Sequence, residues 1–458
     1  MRSRTRAELA ALATVPFIMV LGNSMLIPVL PQIGQTLDLG QARVGLLITA
    51  FSLPAGLVIP WAGLLSDRVG RVTVIAPALI LYGLGGLAAG LASVLVASPF
   101  LFILGARVIQ GIGAGGTYQL ALALAGDIFQ SKERSKALGL LEAANGLGKV
   151  VSPVAGAAAA LVFWFAPFFV YGVLALPAAA LVWLVVREPE AAGRARSMEE
   201  YVQSLRRVAR AKAVPLAACF LAGMASLFLL FGVLANLSDV LEQRFNVPVF
   251  GRGLIIALPV LGLAITAYVS GTVLQREFAR RAKLAVVIGL ILIALGVAPL
   301  PWMGSIVLWT ASTAVAGIGV GLALPSLNTL ITSSISYAGR GLVTALYGAV
   351  RFFGVAIGPP AFGMVETLGS VPVYLGGAGV AVIAVVVVTF LLNQERLLPE
   401  GMDEQEKAPT RGGDDGREET LPGGSPPPAR LHRPHPVRKR LDGAPEEPGT
   451  WWKGGDPF

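Results

Sequence analysis

The stretch Gly63-Leu64-Leu65-Ser66-Asp67-Arg68-Val69-Gly70-Arg71 sets one carboxylate and two arginines between two strongly apolar segments, residues 43–62 and 72–92. Each flank is long enough to cross the roughly 30 Å hydrocarbon core of a bilayer as a helix, which needs about 20 apolar residues. The charged stretch is then a short turn at one membrane face. With 55% hydrophobic and only 14% charged residues, the whole chain has the composition of a membrane protein.

Working outward, the first apolar run extends from about Leu9 to Leu30 behind Arg2, Arg4 and Arg6. It is too long for a signal peptide and lacks a small-residue cleavage site, so it reads as an uncleaved span. Further spans are predicted at about 99–125, 137–160, 163–186, 214–237, 250–271, 283–301, 304–330, 341–363 and 371–393. Twelve spans result, in two sets of six, and runs of this length exclude a β-barrel. At an offset of 206, Arg134 meets Arg340, Gly148 meets Gly354 and Pro153 meets Pro359. Gly111, Gly113 and Gly115 likewise meet Gly317, Gly319 and Gly321. The expected fold is an all-α membrane protein of two pseudo-symmetric six-helix bundles.

The boundaries follow: an N-terminal bundle over 1–186, a linker with an amphipathic helix over 187–213, a C-terminal bundle over 214–398, and a tail over 399–458. In the linker, Tyr201, Leu205 and Val208 share one helical face beside Arg206, Arg207 and Arg210, a pattern suited to anionic headgroups. The tail, rich in Pro, Gly and charge, cannot bury a core and is expected to be disordered. It holds both histidines, so proton chemistry in the spans cannot use histidine.

The net charge of +9 divides unevenly, with 9 basic and 12 acidic residues in the tail against 27 and 15 in residues 1–398. The basic residues cluster in alternate loops, at Arg68/Arg71, Lys132/Arg134/Lys136, Arg187 to Lys212, Arg276/Arg280/Arg281/Lys283 and Arg340. A positive-inside pattern explains this without nucleic acid and puts both termini in the cytoplasm of a multi-pass cell-membrane protein. The single cysteine, Cys219, excludes an internal disulfide. No phosphate-binding G-K-[ST] loop, metal-ligand cluster or nucleophile–base set occurs among the spans, so an enzyme and an ATP-driven pump are both set aside. No cofactor is expected.

Charge inside a span costs at least about 2.5–3.5 kcal/mol at the bilayer centre and points to function. Arg107 opens Arg107-Val108-Ile109-Gln110-Gly111-Ile112-Gly113 in the fourth span. The fifth carries Glu142, Asn145, Lys149, Ser152 and Gly156, spaced 3, 4, 3 and 4 apart on one helical face expected to meet the central cavity or the partner half. Glu142 and Lys149 are two turns apart, too far to pair directly along the helix. Arg351 stands at the position equivalent to Asn145 and is expected to point inward by symmetry. Glu142 is the first candidate for coupling protons, with Asp127 and Asp239 behind it. Asn23, Gln110, Asn145, Lys149 and Arg351 are the candidate cavity residues, and a cavity holding Lys149 and Arg351 favours anionic or zwitterionic groups.

Several of these stretches resemble signatures of the major facilitator superfamily, particularly its twelve-span drug:proton antiporters. The Gly63–Arg71 turn is similar to that family's loop signature, though Val72 replaces its second basic residue. The Arg107–Gly111 stretch resembles its fourth-span motif, and Asn23 with Pro28 and Pro31 its first-span pattern. Gly148-Lys149-Val150-Val151-Ser152-Pro153-Val154-Ala155-Gly156 resembles the antiporter signature, with Ser152 and Ala157 replacing glycines. The eleventh span carries the fuller Gly354…Gly358-Pro359.

The resemblance implies a proton-driven exporter of small amphipathic compounds, working as a monomer among membrane lipids on a proton gradient. It implies a proton-coupling role for Arg107 and a gating role for Gly63, Asp67, Arg68, Gly70 and Arg71, with Asp67 engaging a helix of the opposite half. Gln275 in the C-terminal counterpart removes the matching acid. Gly111, Gly148, Pro153, Gly156, Gly358 and Pro359 are expected to shape helix contacts. Two other readings stand beside this one: a transporter of a specific anionic metabolite, siderophore or lipid, and a non-transporting receptor or scaffold.

Overall fold

The structure is a computed structural model that describes residues 3–129, 131–188, 198–273, 278–334, 340–393 and 397. The expected tail, residues 189–197 of the linker and the counterpart turn at Gln275 lie outside them. The described residues hold fourteen α-helices and no strand. They are α1 (Ser3–Ser24), α2 (Leu30–Leu37), α3 (Gln41–Val69), α4 (Arg71–Leu95), α5 (Phe100–Gly115), α6 (Tyr118–Ile128) and α7 (Ser131–Ala160). After α8 (Ala166–Val185) come α9 (Met198–Gln243), α10 (Val249–Val273), α11 (Phe278–Val297), α12 (Ile306–Ser333), α13 (Arg340–Val365) and α14 (Ser370–Leu391).

Eleven segments among the described residues are long and apolar enough to cross a membrane. Two of them are broken helices. The first span joins α1 to α2 through a 3-10 turn at Ile27–Val29, where Pro28 and Pro31 lack backbone donors. The fourth joins α5 to α6 at Thr117. The expected fifth span is the 30-residue α7, long enough to cross but diluted by its own charges, Glu142 and Lys149. It completes the twelve. The linker's helix is continuous with the seventh span in α9 and bends at Lys212 (φ −135°). There the ammonium caps carbonyls of Ser334 at 2.6 Å and Leu397 at 2.9 Å, tying the bend to the end of α12.

The two halves repeat each other's backbone contacts. Gly111 of α5 lies so close to α3 that a Cβ would strike the Phe51 carbonyl, and Gly317 of α12 stands likewise against Pro259 of α10. Gly115 faces Ala55 and Val58 as Gly321 faces Leu263 and Thr266. Gly148 packs on Phe17 of α1, and its counterpart Gly354 on Met224 of α9. Gly156 and Gly358 stand against the Met25 and Phe228 carbonyls. Helices that carry little hydrophobic drive to associate in lipid gain their attraction from such close backbone approach.

Between the halves, α3 packs along α13 and α7 along α10. The contact is tightest at the end bearing Gln41. A Cβ on Gly45 would lie 2.7 Å from the Pro360 nitrogen and 2.9 Å from the Pro359 carbonyl carbon, and one on Gly253 would lie 2.7 Å from the Pro153 oxygen. Thr49 Oγ1 donates to the Ala356 carbonyl at 2.5 Å. Midway, Gly56 still meets Phe352 and Phe353. Farther along, Gly63 of α3, Gly139 and Gly146 of α7, Gly271 of α10 and Gly341 of α13 have nothing within 4 Å of a Cβ. The halves therefore seal at the Gln41 end and part toward the Asp67 end, leaving a cleft between them.

Replacing Gly45 with valine should force the sealed end apart. In a Cys219→Ser background, a cysteine at Thr49 is expected to react faster with a water-soluble thiol reagent when Gly45→Val is present. Gly105→Val, at a position with open space around it, is expected to leave that rate unchanged.

Candidate functional site

The embedded charges fall into four groups, and each is set by what its helix can offer it. Arg107 on α5 is fully buried. Its Nε donates to the Leu47 carbonyl at 3.0 Å, Nη1 to the Gly22 carbonyl and to Gln110 Oε1 at 2.7 Å each, and Nη2 to Asn23 Oδ1 at 2.6 Å. The guanidinium also lies 4.6 Å from the Phe51 ring centroid. Asn23 passes the network on through Nδ2 to Ser52 Oγ at 2.7 Å. Every acceptor belongs to the N-terminal half and none is a carboxylate. Asn23 and Gln110, expected in the substrate cavity, are buried here as partners of Arg107 and do not line the open cleft. The five donors of a planar guanidinium suit this role, binding α1, α3 and α5 through one side chain.

The polar stripe of α7 divides. At 100° per residue, Glu142 and Lys149 lie about 20° apart around the helix, while Asn145 and Ser152 lie about 60–80° further round. That rotation turns Asn145 and Ser152 into the N-terminal half beside Gly148 and Gly156. Both are buried, and the Ser152 hydroxyl bonds the Gly148 carbonyl. Asn145 is thus a packing residue rather than a cavity residue in this conformation. Glu142 and Lys149 face the cleft: Glu142 is exposed and Lys149 half-buried. Glu142 Oε1 accepts from the Tyr118 hydroxyl at 2.6 Å. Lys149 lies within electrostatic reach of Glu142 and of Arg351 from the opposite half. Arg351 makes one long bond, Nη1 to Asn328 Oδ1 at 3.4 Å, and its guanidinium stands 5.3 Å from the Tyr347 ring centroid.

The third group is the Gly63–Arg71 turn. Gly70 takes φ +95°, a conformation that favours glycine and reverses the chain between α3 and α4. Glu188 then caps α4, accepting from the backbone N–H of Arg71 at 2.7 Å and of Val72 at 3.1 Å. A carboxylate at a helix N-terminus satisfies orphan donors and complements the helix dipole. Arg71 reaches Asp127 at 2.7 Å and Asp67 at 3.7 Å. Asp127, expected among the proton-coupling acids, thus belongs to the turn. Arg68 is exposed.

The fourth group lies at the sealed end. Asp239 is buried and its Oδ2 accepts from Gln41 Nε2 of the other half at 2.6 Å. Arg252 is buried and paired with Glu242 at 2.7 Å. Asn236 donates to Glu366 at 3.0 Å and accepts from the Tyr374 hydroxyl. Arg252 is legible in the sequence as a charge inside an apolar run. Gln41, Tyr118 and Glu188 carried no such signal, because each acts through a partner distant in sequence.

Two helical bundles sealed at one end, with unpaired cations in the cleft that opens toward the other, have the build of a membrane transporter rather than an enzyme. The family model described as the Major Facilitator Superfamily matches residues 12–359. The bacillibactin exporter of Bacillus subtilis (strain 168) is 36% identical over 391 residues, 85% of this chain and 97% of its own. Multidrug efflux protein YfmO of the same organism is 26% identical over 393 residues, covering 80% of this chain and 90% of its own. Among solved structures, a bacterial homologue of the human lysosomal transporter Spinster aligns with a TM-score of 0.69 at 19% identity, over 87% of this chain and 98% of that one. The chain belongs to the Major Facilitator Superfamily, and it is a transporter.

Truncating Arg107 to alanine takes the donor from the buried side-chain oxygens of Asn23 and Gln110, each worth about 1–3 kcal/mol. The expected result is a large loss of thermal stability in detergent. Arg107→Lys, which cannot span the same acceptors, is expected to fall between the parent and Arg107→Ala.

Proposed function

We propose that the protein is a proton-coupled antiporter that exports small amphipathic compounds across the cell membrane by alternating access. The observation that carries this reading is the cleft between the halves, where Glu142, Lys149 and Arg351 meet in a chain whose full-length relative is an exporter. A second relative, named for multidrug efflux, also spans most of the chain and favours the same direction of transport. Glu142 is the coupling acid: it faces the cleft, bonds Tyr118, and shares the field of the two cations, so substrate and proton sense each other there. Asp239 is the second acid, positioned to lose its Gln41 partner when the sealed end opens.

In this reading the basic Asp67 end is cytoplasmic, with both termini, and the cleft accepts substrate from inside. Asp67 engages the opposite half when that end closes, and Arg71 holds it ready through the Asp127 pair. The transporter acts as a monomer in contact with lipid and takes its energy from the proton gradient. A second reading, export of one defined anionic solute, is favoured by the two cations and by the relative that covers 97% of its own length here.

Two experiments test this. Proteoliposomes with an imposed pH gradient should move amphipathic compounds against their own gradient, and Glu142→Gln should abolish that drive while retaining exchange of substrate for substrate. Full pH-driven antiport by Glu142→Gln would remove Glu142 from the coupling role. For orientation, single cysteines at Lys136 and Leu161 in a Cys219→Ser background should be labelled differently in intact cells. An impermeant reagent is expected to label position 161 and spare 136, and the reverse result places the basic loops outside.

A further inference from the structure

Lys149 comes from α7 of one half and Arg351 from α13 of the other, yet each lies in the electrostatic field of its counterpart. Among the described residues no carboxylate comes within ion-pair distance of either, and Lys149 has no hydrogen-bond partner. The Nε of Arg351 is enclosed without an acceptor, and its one bond to Asn328 is long. Glu142, the nearest acid, is already engaged by the Tyr118 hydroxyl at 2.6 Å. Two cations against one engaged carboxylate leave this part of the cleft positive. Aromatic side chains border both charged groups: Tyr118 bonds Glu142, Tyr347 lies against Arg351, and Phe352 and Phe353 follow Arg351 where α13 meets Gly56.

This arrangement has a mechanical consequence. Closing the Asp67 end draws α7 and α13 together, and like charges in a narrowing, water-poor cleft repel more strongly as they approach. An empty cleft therefore resists closure. A group carrying negative charge between the two side chains converts that repulsion into two attractions, and a guanidinium holds a carboxylate or sulfonate through paired N–H donors. Once the anion leaves at the opposite face, the same repulsion favours reopening toward the Asp67 end.

We propose that the ligand of this cleft is an amphipathic anion whose charged group is held by Lys149 and Arg351 together, and that this bridge between the halves is what permits the Asp67 end to close. The proposal rests on the exporter reading and adds the substrate class. A cationic compound of equal size meets net repulsion and leaves the halves apart.

Three probes of one shape and different charge separate the cases: naphthoate, naphthylmethylammonium and naphthamide. Flux is read in proteoliposomes, and closure from the distance between spin labels on Leu65→Cys and Gly341→Cys in the Cys219→Ser background. Naphthoate should be moved by the parent in preference to both isosteres and should shorten the label distance. Lys149→Gln and Arg351→Gln should each weaken naphthoate binding roughly tenfold, about 1.4 kcal/mol, and abolish the shortening. Lys149→Arg should restore both, and Lys149→Glu should transfer the preference to naphthylmethylammonium. Thermal unfolding of each variant checks that it is folded. Transport of naphthylmethylammonium by the parent as fast as naphthoate would overturn the proposal while leaving an exporter in place. Movement of none of the probes, or undiminished naphthoate binding in folded Lys149→Gln and Arg351→Gln, would also overturn it. A failure of the exporter reading itself is recognised separately, by the absence of pH-driven flux for any compound.

Discussion

A charged side chain on a membrane-spanning helix must be satisfied by the protein or by water, because hydrocarbon offers it nothing. That constraint sorts the embedded charges of this chain. Arg107 is satisfied wholly by neutral acceptors of its own half, and Arg252 by Glu242. Asp239 is satisfied by Gln41 across the sealed end. Lys149 and Arg351 are left over, and only a hydrated cleft can keep them. Where the halves part, Lys149 and Arg351 are both left partly exposed.

Backbone contact sets where the parting begins. Gly45, Gly253 and Gly363 bring helices of the two halves to backbone contact at the Gln41 end, against Pro360, Pro153 and Ala42. The same device holds each half together, at Gly111 and Gly317 and at Gly148 and Gly354. Contact between the halves is closest at the Gln41 end and persists to mid-depth at Gly56, beyond which Gly63 of α3 and Gly341 of α13 have open space beside them. Alternating access by rocking of repeats requires that division of contacts.

Much of the fold was legible in the sequence, because span length and loop charge are local properties. The offset of 206 that pairs Gly111 with Gly317 and Gly148 with Gly354 becomes, in three dimensions, equivalent helix contacts. The site was less legible. Spacing placed Glu142, Asn145, Lys149 and Ser152 on one face, but a face about 80° wide meets two environments, and Asn145 and Ser152 turn inward. Asn23 and Gln110 looked like cavity residues because polar groups in spans draw attention, and they are instead spent on Arg107. Asp127, expected behind Glu142 among the proton-coupling acids, is bonded to Arg71 of the turn. Gln41, Tyr118 and Glu188 act through partners remote in sequence, which periodicity does not register.

Lys149 and Arg351 face a common cleft, whereas Asn145, on the same helix as Lys149, is buried. The direct measurement is the reaction rate of single cysteines at these three positions, in a Cys219→Ser background, with a small charged thiol reagent. Fast reaction is expected at 149 and 351 and little at 145. Reaction at 149 and 351 as slow as at 145 would contradict that placement.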